Sequence, residues 1–343
     1  MAAANDPVRP QGSETEVLAA GRRVRISNPD KVFFGRAGLT KLDLVRYYLS
    51  IEAPLMSAMG GRPVLLQRHP DGASGKSFFQ KRVPPAIPSG SAPRSCRHLR
   101  GRPPTRWSSA TSRMSSGRST WGASGSTSGR PGQPTPCMPT NCVWTWTRCR
   151  GGFRPGSQTA HLVRDLLAEV GVRSWVKTSG SKGLHVYVPL EARWGAVTVR
   201  SAAVAVAREL ARRHPELVTD AWWKEERGRR VFVDFNQNAP HKTVFGAWSV
   251  RPRVGAQVST PLAWEDLDAT DPDSLTAVTV PGRIGELGDP WADRWEDRQG
   301  LEALLEWHER DMAAGLMDAP WPPQYPKMPN EPPRVAPSRA RRR

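Results

Sequence analysis

The strongest constraint on how this chain can fold is a stretch of 93 residues, from Gly72 to Arg164, that contains no aspartate or glutamate. The stretch carries 15 of the 50 lysines and arginines, so the rest of the chain has 35 basic against 32 acidic residues. The formal net charge of +18 therefore comes mostly from this one segment. An excess of basic residues indicates a polyanionic partner. Here the excess lies mostly in one segment, so the inference depends on whether that segment is a genuine part of the protein.

Residues 86–157 show no hydrophobic period of 2 or 3.6. They are rich in serine, arginine, proline, threonine, glycine and tryptophan, and they hold all four cysteines in a spacing that matches no common zinc pattern. Three interpretations stay open. The segment is a disordered arginine-rich linker, an RNA-binding basic segment, or a segment translated out of frame.

The genetic code favours the out-of-frame interpretation. In the run Val143-Trp-Thr-Trp-Thr147, each Trp–Thr junction read one base back gives GAC, the codon of aspartate. The junction before each tryptophan then gives an apolar residue. The alternate frame therefore encodes a strand with two carboxylates on one face, because residues i and i+2 of a strand share a face. We expect the frame to slip near residues 85–88 and to recover near 150–160.

The remaining sequence has the regular patterns of a folded domain. Strands are predicted over 63–68, 174–177, 184–190, 231–234 and 242–250, and helices over 161–170, 197–213 and 301–312. Thr40 with Asp43 three residues later is typical of a helix-capping box. Since strands and helices mix without strict alternation, the fold class is predicted to be α+β.

The domain organisation and compartment follow from composition. We expect a loose N-terminal arm at 1–20, one domain at 21–317 and a disordered Pro/Arg-rich tail at 318–343. The sequence has no apolar run of ~18 residues, so a membrane is not expected as a partner. No secretory signal is visible and four cysteines make no disulfide scaffold, so a cytoplasmic location is the expectation.

Two features indicate phosphate chemistry. The small-residue turn Ser179-Gly-Ser-Lys-Gly183 exposes backbone N–H groups, hydroxyls and an ammonium, which suits an anion. His185 projects from the strand that follows, and Asp234 closes a later strand of Val-Phe-Val. Each of these residues taken singly is more often a structural or surface residue.

Taken together, the motifs resemble a known family. They recur in the order Ser27-Asn-Pro-Asp-Lys31, Gly38-Leu-Thr-Lys41, Phe78-Phe-Gln-Lys-Arg82, Thr178-Ser-Gly-Ser-Lys-Gly-Leu-His185, Val233-Asp234, Gln237-Asn238 and Ser249-Val-Arg251. This set resembles the polymerase domain of the bacterial end-joining ligase D, in the archaeo-eukaryotic primase superfamily, in its stand-alone form.

The resemblance implies a primase-polymerase fold with a central, mostly antiparallel sheet flanked by helices, carrying a disordered or mis-specified insert at 86–157. It implies a template-directed nucleotidyltransferase that fills ends and gaps in non-homologous end joining. In the family three aspartates hold two divalent metals, Mn²⁺ or Mg²⁺. The implied partners are DNA ends with a 5′-phosphate, nucleoside triphosphates, Ku and a separate ATP-dependent DNA ligase, at the nucleoid.

The resemblance also assigns residues. Asp234 matches the third metal-binding aspartate, and Arg227 the activating arginine of the catalytic site. The nucleotide-binding residues are Ser179, Lys182, His185, Gln237 and Arg251. The DNA-binding residues are Asn28, Lys31 and Lys41 for the 5′-phosphate, Phe78 and Phe79 for stacking on template bases, and Arg68. Gln67 departs from a lysine that is common in the family.

The large departure is the first metal motif. The family's Asp-x-Asp falls on Trp144-Thr-Trp-Thr147, where only the alternate frame encodes it. We therefore expect that the chain as printed does not extend DNA. The alternative function is a non-catalytic protein that binds the 5′-phosphate of DNA ends, and a third reading is an unrelated RNA-binding protein that uses the basic middle segment.

Overall fold

The structure is a computed structural model, and it describes residues 13–19, 21–60, 63–80, 93–96, 105–109, 119–124, 140–146, 152–240 and 242–335. In the N-terminal half the strands are β1 Glu14–Ala19, β2 Arg22–Ser27, β3 Val32–Phe34, β4 Leu39–Thr40, β5 Pro63–Arg68, β6 Phe78–Gln80, β7 Pro93–Cys96, β8 Thr105–Ser109, β9 Ser119–Ser124 and β10 Asn141–Trp146. The helices there are α1 Lys41–Ser50 and α2 Glu52–Met59.

In the C-terminal half the strands are β11 Trp175–Thr178, β12 Leu184–Pro189, β13 Val218–Thr219, β14 Val231–Phe232, β15 Thr243–Val244 and β16 Pro261–Leu262. The helices are α3 Arg154–Ala168, α4 Ala196–Arg213, α5 Val280–Leu287 and α6 Glu302–Ala313. The predicted strand at 242–250 is thus wrong beyond β15, because the chain then turns, with Trp248 at a φ of 64°.

Two antiparallel sheets organise the molecule. The first has the order β10-β12-β11-β16. The second has the order β15-β9-β5-β8-β7, with β6 also pairing with β5. The only parallel pair in the described part of the chain is β13 with β14. The predicted α+β class with a mostly antiparallel sheet is therefore confirmed.

The core lies between the first sheet and helices α3 and α4. Helix α4 is almost entirely buried, because its run of alanines and valines is apolar on every side except near its ends. Trp144 of β10 is fully buried, and its indole Nε1–H donates to the Ala203 carbonyl of α4 at 3.0 Å. The other face of β10 is consequently turned away from α4 and toward Asp234. At the N-terminal start of α1, the capping box is present as predicted: Thr40 Oγ1 accepts from Asp43 N at 3.2 Å.

The sequence predicted no fold for residues 86–157, but β10 and the first residues of α3 lie within this range. All six residues of β10 are buried, because alternating Cys142, Trp144 and Trp146 fill the space under α4. Helix α3 begins at Arg154, earlier than the predicted 161, with a proline in its first turn where a missing N–H costs nothing. Residues 86–92, 97–104, 110–118, 125–139 and 147–151 lie outside the described part.

Both chain ends differ from the predictions as far as they are described. In the predicted loose arm, β1 pairs with β2 as a hairpin from Glu14–Ser27 to Ala19–Arg22. In the predicted disordered tail, Ala319, Trp321 and Glu331 are buried. We call residues 318–335 the C-terminal clasp. The clasp is ordered because its oxygen atoms are the hydrogen-bond acceptors of the buried Arg200 of α4. Residues 336–343 lie outside the described part.

No helix in the described ranges is both long and apolar enough to cross a membrane.

Candidate nucleotide and DNA-end site

Asp234 follows β14 and lies directly beside β10. Its backbone N–H donates to the Thr145 carbonyl at 2.8 Å, and its carbonyl accepts from Thr145 N at 3.2 Å. The carboxylate accepts from Asn236 N at 2.9 Å and from the Gln237 carboxamide at 3.2 Å. Burial raises the pKa of Asp234, and these two hydrogen bonds oppose the rise. Asp234 and Gln237 are thus brought together as the sequence predicted.

A row of side chains crosses the sheet from Asp234. Thr145 pairs with Asp234 on one side and with His185 of β12 on the other. His185 in turn pairs with Lys177 of β11. Because directly opposed residues of antiparallel strands share a face, these four side chains form one row. His185 and Lys177 are both buried.

The turn between β11 and β12 has its own hydrogen bonds. The Ser179 hydroxyl accepts from Ser181 N at 3.2 Å and from Gly183 N at 3.1 Å. Gly180 has a φ of +64°, and a Cβ there would lie 2.5 Å from the Arg251 side chain, so only glycine fits. Lys182 is exposed at the tip. The turn is therefore formed with Ser179 holding its shape, and two of its backbone N–H groups bond inside the turn. Its role as an anion nest stays a prediction.

Two arginines lie against this turn. Arg253 Nη1 donates to Ser181 Oγ at 3.0 Å, and the guanidinium of Arg251 lies 3.3 Å from the centroid of the Phe245 ring. Burial, followed by the neighbouring Arg253, lowers the pKa of Arg251 to about 10. The structure thus brings Ser179, His185 and Arg251 to one side of the first sheet, as predicted for nucleotide-binding residues.

Arg227 does not form an ion pair with Asp234 in the described ranges. Its guanidinium donates to the Ala221 carbonyl at 2.9 Å and to the Trp222 carbonyl at 2.5 Å, and it stacks on Phe232 at 3.7 Å. These contacts fold the loop that precedes β14. An activating role for Arg227 stays a prediction, since its donors hold the loop backbone.

The three residues predicted for a 5′-phosphate lie together. The Lys31 carbonyl accepts from Lys41 N at 2.9 Å, and Lys31 N donates to the Asn28 carbonyl at 3.2 Å. Lys31 Nζ donates to the Pro70 carbonyl at 2.8 Å. Lys41 is buried, and its Nζ donates to the Ser27 carbonyl at 2.5 Å. Lys31 is exposed and Lys41 sits behind it, so Lys31 is the more accessible of the two cations.

The two phenylalanines that were predicted to stack on template bases are exposed. Phe78 and Phe79 are 52% and 55% exposed, although they are among the largest apolar side chains of the chain. Phe78 pairs with Arg68 and Phe79 with Gln67 across β5 and β6. Arg68 Nη1 donates to the Gln80 carboxamide at 2.6 Å. Because Phe78 and Phe79 are consecutive in β6, their rings lie on opposite faces of the strand. Stacking of either ring on template bases stays a prediction.

Sequence reasoning missed the residues that position Asp234. Asn238 accepts from Val143 N at 2.8 Å and donates to the Val143 carbonyl at 2.7 Å, so it fixes β10 against the turn after Asp234. Arg200 donates to the Asn236 carboxamide at 2.9 Å. A signal for Asn238 was the Gln237-Asn238 pair itself; an arginine within the apolar α4 run was the signal for Arg200.

The residues of the site do not fit two divalent metals. Such a site needs several carboxylates, which bridge and hold both ions. Asp234 stands beside Thr145, a neutral residue, and the sequence has no acid between Asp71 and Asp165. Within the described ranges no three His, Cys, Asp or Glu side chains are grouped as metal ligands. The expected Mn²⁺ or Mg²⁺ therefore lacks most of its ligands here.

The fold and site together define an α+β domain of the primase-polymerase class, with a turn of serines and glycines between β11 and β12 and a strand-end aspartate on the same sheet. A family model described as "LigD, primase-polymerase domain" matches residues 40–106 and 150–291. Residues 107–149, which include β10, fall between the two matched parts. Since the match covers more than half of the chain, the chain belongs to the LigD primase-polymerase domain family.

Relatives and solved structures agree with this assignment. The chain is 33% identical over 311 residues to the multifunctional non-homologous end joining protein LigD of Pseudomonas aeruginosa, covering 84% of this chain and 34% of that one. It is 30% identical to LigD of Mycolicibacterium smegmatis, covering 90% of this chain and 41% of that one. The chain thus spans about a third to two fifths of these relatives' length.

A solved structure, the polymerase domain of Mycobacterium tuberculosis ligase D in complex with DNA, superposes with a TM-score of 0.73 at 29% identity. The match covers 81% of this chain and 99% of that chain. The expected primase-polymerase fold is thereby confirmed.

Proposed function

We propose that this chain descends from a template-directed nucleotidyltransferase that fills ends and gaps in non-homologous end joining. In the printed sequence it binds DNA ends and nucleotides and does not extend a primer. The family membership supports the descent, and the DNA in the mycobacterial complex supports DNA as the partner. Nucleoside triphosphates, Ku, a separate ATP-dependent ligase and a cytoplasmic, nucleoid-associated location complete the proposal.

The observation that carries the proposal is the pairing of Asp234 with Thr145. The backbone brings β10 to the strand-end aspartate, where the family's first metal motif is expected, but it brings a hydroxyl and two buried indoles. One carboxylate cannot bridge and hold two ions. The turn between β11 and β12 and the exposed Phe78 and Phe79 support binding without synthesis.

Binding and synthesis are measured separately. Fluorescence anisotropy with a gapped duplex compares a 5′-phosphate with a 5′-hydroxyl at the gap, and primer extension with Mn²⁺ is run on the same protein. We expect tighter binding to the 5′-phosphate and no added nucleotide. Extension by protein whose mass matches the printed sequence overturns the inactive assignment, and equal affinity for the two ends overturns the end-binding assignment.

A matched pair of lysine variants localises the end-binding surface. Lys31→Ala removes the accessible cation beside Asn28, and we expect it to abolish most of the preference for the 5′-phosphate. Lys327→Ala removes an exposed cation of the C-terminal clasp, away from this cluster, and serves as the control that leaves the preference unchanged. Loss of preference in both variants argues for nonspecific attraction.

Sequencing codons 80–165 from genomic DNA decides between the two histories of the chain. If an Asp-x-Asp motif appears in a corrected frame, the natural protein is an ordinary end-joining polymerase. If the printed frame stands, the protein is a DNA-end-binding descendant of one, which is the second candidate function. The retained pairing of Lys31 and Lys41 at the predicted phosphate pocket favours that second candidate in the printed chain.

A further inference from the structure

Five basic side chains lie around the turn between β11 and β12, and we call them the cationic cluster: Lys177, Lys182, His185, Arg251 and Arg253. Only Lys182, Arg251 and Arg253 among them are firmly charged. His185 pairs with Lys177 across the sheet, and Arg253 bonds the turn at Ser181. In the part of the chain that the structure describes, none of the five forms an ion pair with an aspartate or glutamate. That isolation is unusual, since buried cations are ordinarily paired.

Two members of the cluster have buried donor or acceptor atoms without a partner. His185 is 6% exposed and its Nδ1 lacks a hydrogen bond, and the Nε of Arg251 also lacks one within the described residues. Such atoms cost stability when they stay unpaired. They are therefore typical of a site that an external ligand completes.

The electrostatics agree with a missing anion. Burial lowers the pKa of Lys177, and Arg251 and Arg294 lower it further. Burial lowers the pKa of His185 as well, with Lys177 and Arg251 adding to the effect. Both shifts favour the neutral forms of Lys177 and His185, and the cationic neighbours add to the effect of burial. An anion bound between the members of the cluster favours the protonated forms instead.

The one carboxylate next to the row is already engaged. Asp234 accepts hydrogen bonds from Asn236 and Gln237, and Thr145 separates it from His185 along the row. A metal site would place negative ligands beside the cluster and a cation between them and the phosphates. Here the carboxylate ligands of such a metal are incomplete. A bound anion would therefore contact the basic side chains of the cluster directly.

We propose that the cationic cluster binds polyphosphate anions without a divalent metal, the ligand class being free pyrophosphate or the unchelated triphosphate of a nucleotide. This inference rests on the nucleotide site proposed above and reverses its metal dependence. Guanidinium groups and backbone N–H groups together are good donors to phosphate oxygens. The positive charge of the guanidinium groups replaces the charge that a metal ion supplies in a site with the full number of carboxylate ligands.

Isothermal titration calorimetry with inorganic pyrophosphate tests this, once in EDTA and once with Mn²⁺ in excess. We expect binding in EDTA with an affinity at least equal to that with Mn²⁺, because the metal competes for the same oxygens. Binding that appears only with Mn²⁺ overturns the inference, and so does the absence of heat in both buffers. Neither result bears on the 5′-phosphate preference, which is measured on gapped DNA.

Single substitutions then locate the site. Arg253→Met and Lys182→Met each remove one cation that is not fully buried, and we expect each to weaken pyrophosphate binding in EDTA about tenfold. Arg173→Met is the matched control, because Arg173 precedes β11, at the end of the strand opposite to the turn, and pairs with Asp293 and Asp297. An unchanged affinity in both cluster variants, or an equal loss in the control, places the ligand elsewhere.

Discussion

Thr145 and Asp234 exchange two backbone hydrogen bonds, with N···O distances of 3.2 and 2.8 Å. Residues paired in this way have Cβ atoms about 4.5–5.5 Å apart on the same face of the sheet. That separation suits two carboxylates that share metals about 3.5–4 Å apart. The backbone of a metal site is therefore present, although the side chain at 145 cannot serve as a carboxylate ligand.

Carboxylates at this position should restore metal binding. In Thr145→Asp/Thr147→Asp, the two new residues alternate along one strand face as the family motif does, although Thr147 lies outside the described residues. We expect Mn²⁺ binding and Mn²⁺-dependent extension of a primer on a gapped duplex. Manganese binding is read by electron paramagnetic resonance and extension on a denaturing gel.

The control for that experiment is Thr145→Asn/Thr147→Asn, which has nearly the same shape and no charge. We expect neither Mn²⁺ binding nor extension from it. In the aspartate variant, pyrophosphate binding should become weaker in EDTA and stronger with Mn²⁺, because the new charges repel the bare anion. If the aspartate variant binds Mn²⁺ no better than the asparagine one, Thr145 is not the ligand position.

Asn238 should be necessary for the position of β10. Asn238→Ala leaves the Val143 N–H and carbonyl without their side-chain partners in a buried site. Unpaired buried groups of this kind cost about 1–3 kcal/mol each, so the loss of two partners should lower the free energy of unfolding by about 2–6 kcal/mol in urea titration. Asn238→Asp keeps the acceptor for Val143 N and removes the donor, and it should show an intermediate loss.

Much of the fold could be predicted from local patterns. The helix at 197–213 and the strands at 63–68 and 184–190 have hydrophobic periods that tertiary packing did not override, and Thr40 with Asp43 fixed a helix start. The strand at 242–250 failed because one apolar run contains both a short strand and a turn at Trp248. Periodicity cannot separate those two.

The candidate site was predictable where a motif is contiguous and not where it is assembled in space. The turn from Thr178 to His185 carries its own chemistry in sequence, and the structure forms it as expected. The partners of Lys177, Asn238 and Arg200 are distant along the chain, so the local sequence signals for Asn238 and Arg200 do not reveal what these side chains hold. The sequence also did not predict that the C-terminal clasp is ordered. A Pro-rich composition does not reveal that a buried arginine of α4 binds this segment.

The clasp should be part of the folded domain. Arg200 is 1% exposed, bonds Asp318 at 3.1 Å and the Ala319 carbonyl at 2.8 Å, and stacks on Trp321 at 4.1 Å. Removing one partner of a buried pair costs about 3–5 kcal/mol. Truncation after Met317 should therefore lower the free energy of unfolding by at least that amount in urea titration.

Truncation after Val335 is the matched comparison, because it removes only residues 336–343 and retains the whole clasp. We expect it to leave the unfolding midpoint unchanged. Because Arg200 also bonds Asn236 beside Asp234, the longer truncation should also weaken nucleotide binding. Equal stability of the two truncated proteins excludes a structural role for the clasp.

Glu331 should make the clasp sensitive to acid. Burial raises the pKa of Glu331, but hydrogen bonds from Arg334, Met328 N and Trp321 N outweigh it and lower the pKa to about 2. A carboxyl whose folded-state pKa lies below its unfolded value of 4.5 contributes stability that is complete above pH 4.5. That contribution is lost as the pH falls from 4.5 toward 2.

Glu331→Gln isolates this effect. The variant should be less stable than the parent at pH 7, because the charged partner of Arg334 is gone, and the difference should shrink steadily below pH 4.5. Urea unfolding at pH 7, 5, 4 and 3 measures it, with Glu306→Gln on the exposed side of α6 as a control that should follow the parent. A difference between Glu331→Gln and the parent that stays constant across this range means that the Glu331 carboxylate does not support the folded state.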